Sequence, residues 1–92
     1  MLKGFHVNQQ KLSKSEFSEQ ADVIARRIVT ALEGEQEAFL VLEALCRVHR
    51  FVCVQIPTKS LGAAGFALGA YAGELMQASA TGKGLGTNNP IH

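Results

Sequence analysis

Tryptophan is absent from this 92-residue chain, tyrosine occurs once, and cysteine and proline occur twice each. Two cysteines are too few for the disulfide frameworks that hold small secreted domains together. If Cys46 and Cys53 share a helix, their seven-residue separation sets the Cα atoms roughly 10 Å apart, beyond disulfide reach. With reduced thiols and no unbroken apolar run in MLKGFHVNQQKLSKSEF to serve as a secretory signal, a cytoplasmic chain is expected. Charge of one sign is also lacking. Nine Lys+Arg against eight Asp+Glu leave a net charge of +1, so no field draws the chain onto phosphate backbones or anionic lipid. The apolar run over residues 61–73 is bracketed by Lys59 and Glu74 and falls short of the roughly 18 residues a membrane span needs. Residues 38–56 are interrupted by Glu43, Arg47, His49 and Arg50. Neither nucleic acid nor membrane is expected as a partner.

What is present is apolar. Hydrophobic residues make up 47% of the chain and charged residues 18%, too much burial potential for a disordered segment. The length suits one small domain. Ser13, Lys14, Ser15 and Glu16 read as a capping box with Ser13 at the N-cap, and Leu12 with Phe17 as its hydrophobic staple. Phe17, Ala21, Ile24, Ile28, Ala31 and Leu32 then recur at helical spacing, with Asp22 and Arg26 four apart on the wet side. Gly34 is expected to end this first helix, over about 14–33, in the left-handed conformation.

A second helix is expected over about 35–55, opening on Glu35 and Glu37, where acids suit the dipole, and closing near Arg47 and Arg50. Its apolar residues cover most of its circumference, as in a helix covered on several sides. Residues 51–56, FVCVQI, are rich in strand-forming side chains, yet only the N-terminal residues could pair with them. Continuation of the helix is the expectation. A third helix over about 60–80 follows Pro57, capped by Thr58 or Ser60 and stopped by Gly82. Residues 1–12 are expected to be an N-terminal arm and 81–92 a flexible tail.

The expected fold is therefore all-α: a compact three-helix domain, made of a helical hairpin and a Gly/Ala-rich third helix, assembled as a homo-oligomer. Gly62, Gly65, Gly69 and Gly73 each disfavour that third helix by roughly 1 kcal/mol relative to alanine. A compensating contact is implied. Gly65, Gly69 and Gly73 form a smooth ridge that lets another backbone approach closely. Leu61, Ala64, Leu68, Tyr71 and Leu75 make a heptad-like seam beside it. The expected interface residues are Gly65, Gly69, Gly73, Leu61, Leu68 and Leu75.

Thr58, Lys59, Ser60 and Gly62 are the candidate anion site, because a helix N-terminus exposes N–H groups and positive dipole. The upstream glycine of a phosphate-binding loop is missing, and GKGLG at 82–86 follows a helix instead of preceding one. Cys46, His49 and Cys53 share a face. By spacing, only Cys46 and His49, three apart, could chelate one ion, so no metal site and no cofactor are expected. Arg26, Arg27, Arg47 and Arg50 read as solvated positions with local ion pairs. No nucleophile stands near a base and no carboxylates pair, so no enzymatic activity is expected. These readings favour a non-enzymatic interaction protein that docks on, and regulates or inhibits, a larger protein. The alternative is a small-ligand protein that binds or sequesters an anion or nucleotide at the start of the third helix.

Overall fold

The computed structural model describes residues 11–86. Most of the expected N-terminal arm, and the tail from residue 87 on, lie outside the described residues. Three α-helices account for most of the described chain: α1 (Lys14–Ala31), α2 (Ala38–Cys53) and α3 (Leu61–Thr81). A 3₁₀ turn, Thr58–Ser60, leads into α3, and no strand occurs among the described residues. The architecture is all-α. Two units divide the chain, Met1–Val48 and His49–Pro90, apart from single residues near the C-terminus.

In the first unit, α1 starts as its capping box requires. The Glu16 backbone N–H donates to Ser13 Oγ (3.1 Å), and the Ser13 N–H donates back to Glu16 Oε1 (2.9 Å). The helix ends two residues earlier than expected, at Ala31. Leu32 and Glu33 donate to the carbonyls of Val29 and Thr30, three residues back, so the last turn tightens. Gly34 does adopt a positive φ of 96°, but it lies beyond the Leu32 cap as the bend toward α2. Asp22 and Arg26 form the expected ion pair, Nε to Oδ2 at 2.7 Å.

The start of α2 corrects the sequence reading. Glu35 and Glu37 are not inside the helix. Glu37 stands just before it, and its Oε1 accepts the N–H of Leu40 (2.8 Å), while its carbonyl accepts that of Val41 (3.1 Å). Glu37 thus fills the capping role that a short side chain usually takes, with the acid at the positive end of the dipole. Farther along, Arg47 Nε donates to Glu43 Oε2 at 3.1 Å, the pair that spacing predicts.

The second unit takes in the last turn of α2. Residues 51–53 continue the helix and 54–56 form a turn, so no strand forms there. Val54 still donates to Arg50, four residues back, but Gln55 and Ile56 donate to Val52 and Cys53, three back. Pro57, extended at φ −60° and ψ 144°, ends the run, because its ring disfavours helical backbone at the residue before it. Gly82 closes α3 in the left-handed conformation (φ 72°) and donates to Ala78 at 3.0 Å, as expected.

No residue among those described is buried. The staple residue Leu12 is half-covered, but its partner Phe17 is 65% exposed. Phe39 in α2 and Phe66 in α3 are 76% and 82% exposed. Neither unit, taken by itself, shuts a described side chain away from solvent. The apolar stripes form as the periodicity requires, and their outer faces stay open.

Candidate functional site

Helix α3 carries the least ordinary surface of the molecule. Over its 21 residues, Glu74 is the single charged side chain. Gly65, Gly69 and Gly73 recur every four residues, and helical geometry adds Gly62, three before Gly65, to the same face. Met76 and Ala80 extend that face toward the C-terminus. Gly62 is thus part of the ridge, a membership that the spacing already contained. A Cβ built at any of the four glycines meets no heavy atom within 4 Å. Within the unit that holds α3, then, no backbone lies against the ridge. Leu61, Leu68, Tyr71 and Leu75 of the adjoining seam are likewise exposed, between 39% and 50%.

Thr58, Lys59 and Ser60 were expected to supply a cap and, in the alternative reading, anion donors. They form a 3₁₀ turn in which the Ser60 N–H donates to the Pro57 carbonyl at 2.9 Å. Of the two expected cap residues, Ser60 takes the N-cap position of α3, but without the side-chain bond of a cap. The cap positions of the turn and of α3 fall on Pro57 and Ser60, and neither makes a side-chain cap bond. The reason is local. Ser60 sits at φ −93° and ψ −7°, already in helical space, whereas a capping serine needs extended backbone to reach the N–H groups ahead of it.

The cysteine-histidine face is arranged differently from its reading by spacing. His49 pairs with Cys53, not with Cys46: His49 Nδ1 and Cys53 Sγ are 3.5 Å apart, four residues along α2. Both cysteines are free thiols, Cys46 exposed and Cys53 half-buried. No group of three or more His, Cys, Asp or Glu side chains that could hold an ion occurs among the described residues. A shallow groove of about 310 Å³ lies where residues 83–86 run beside the last turns of α3, with Glu74, Gln77, Thr81 and Lys83 on its walls. It presents one acid and one base. No helix among the described residues is long and apolar enough to cross a membrane.

Compared with protein-family models, with curated proteins and with solved structures, the chain matches none.

Proposed function

We propose that this chain is a non-enzymatic, cytoplasmic helical interaction protein that assembles with copies of itself and docks on a larger protein to regulate or inhibit it. One observation carries the reading: α3 runs for 21 residues with Glu74 as its single charged side chain, and its glycine ridge meets no atom of its own unit. Covering one phenylalanine or leucine side chain contributes about 1.5–3 kcal/mol, and extended apolar patches on a folded chain mark contact surfaces. The ridge of Gly62, Gly65, Gly69 and Gly73, with the seam of Leu61, Leu68 and Leu75, is the surface this reading assigns to the interface. Its smoothness suits a second helix, whose approach offsets the intrinsic weakness that the glycines impose on α3.

Light scattering on the purified chain at high micromolar concentration tests the reading. A mass of at least two chains is expected. A strict monomer removes self-assembly, and with it the account of the ridge.

Anion binding at Thr58, Lys59, Ser60 and Gly62 is the second reading, supported by their place at the start of α3, where N–H groups and the positive end of the dipole favour an anion. A thermal-shift screen against phosphate and nucleotides separates the two. Stabilisation by several degrees at saturating ligand supports the anion site, since binding to the native state adds free energy by mass action. An unchanged midpoint leaves the interaction reading alone.

A further inference from the structure

We draw no further inference here: the strongest candidate, the shallow groove between the last turns of α3 and residues 83–86, is walled by residues that, Ala78 apart, all lie open to solvent, Glu74 and Lys83 included, so nothing in the structure shows what it would hold.

Discussion

At Ser13 and Glu16 two reciprocal hydrogen bonds satisfy the first free N–H groups of α1, and they act on the acid as well as on the helix. The backbone bond from Ser13, then the bond involving its side chain, hold the Glu16 carboxyl below its ordinary value. Its contribution to stability is therefore present above the unfolded carboxyl range and is lost as pH falls through the lowered value. Replacing Ser13 by alanine should cost about 1 kcal/mol of helix stability at neutral pH, measured by circular dichroism during denaturation. The gap between Ser13→Ala and the parent chain should narrow in acid, where protonated Glu16 no longer supports the box. A gap independent of pH would show that the hydroxyl alone makes the cap. The box was legible in the sequence because both partners lie within four residues. Glu37 was misplaced inside α2 because an acid near a helix start satisfies the dipole equally well in the first turn or just ahead of it. The His49–Cys53 contact was missed because spacing ranks both three- and four-residue neighbours as close, and side-chain rotamers choose between them.

Among the elements, α3 departs furthest from what intrinsic propensity favours. Three interior glycines, Gly65, Gly69 and Gly73, lower its helical preference by about 3 kcal/mol, yet it runs unbroken over 21 residues to its stop at Gly82. Open space in front of Gly69 means that a side chain there meets no obstacle within the described chain. Gly69→Ala and Gly69→Leu should therefore both raise helix stability, by somewhat under 1 kcal/mol for leucine and about 1 kcal/mol for alanine. If the ridge receives another chain, the two part company on association. Sedimentation velocity should find the alanine variant still assembled and the leucine variant dissociated, because leucine holds the backbones apart. A leucine variant as helical and as associated as the parent would remove the interface from this face. The extent of α3 was readable from composition and from the glycine after it. The 3₁₀ turn ahead of it was not, since Thr58 and Ser60 are common cap residues whether or not the backbone lets them cap.

At the scale of the molecule, both units carry exposed apolar side chains among the described residues. Phe39, Leu40, Phe66 and Met76 are each at least 70% exposed. A small chain hides a low fraction of its surface in any case, and an assembly raises that fraction. If folding is completed by association, the thermal midpoint should climb as protein concentration is raised, because mass action links the two equilibria. A midpoint constant over a hundredfold range would mean that the chain finds its stability alone.

Local spacing was enough to establish three helices, the Ser13 cap, the two i,i+4 ion pairs and the Gly82 stop. Each depends on backbone bonds or side chains only three or four residues apart, and such distances are written directly in residue order. What stands in front of the glycine ridge, how much of each apolar stripe is covered and which neighbour His49 meets were decided only in three dimensions. Burial depends on which distant atoms approach a face and on the rotamer that meets them, and periodicity marks a face as apolar without naming what covers it.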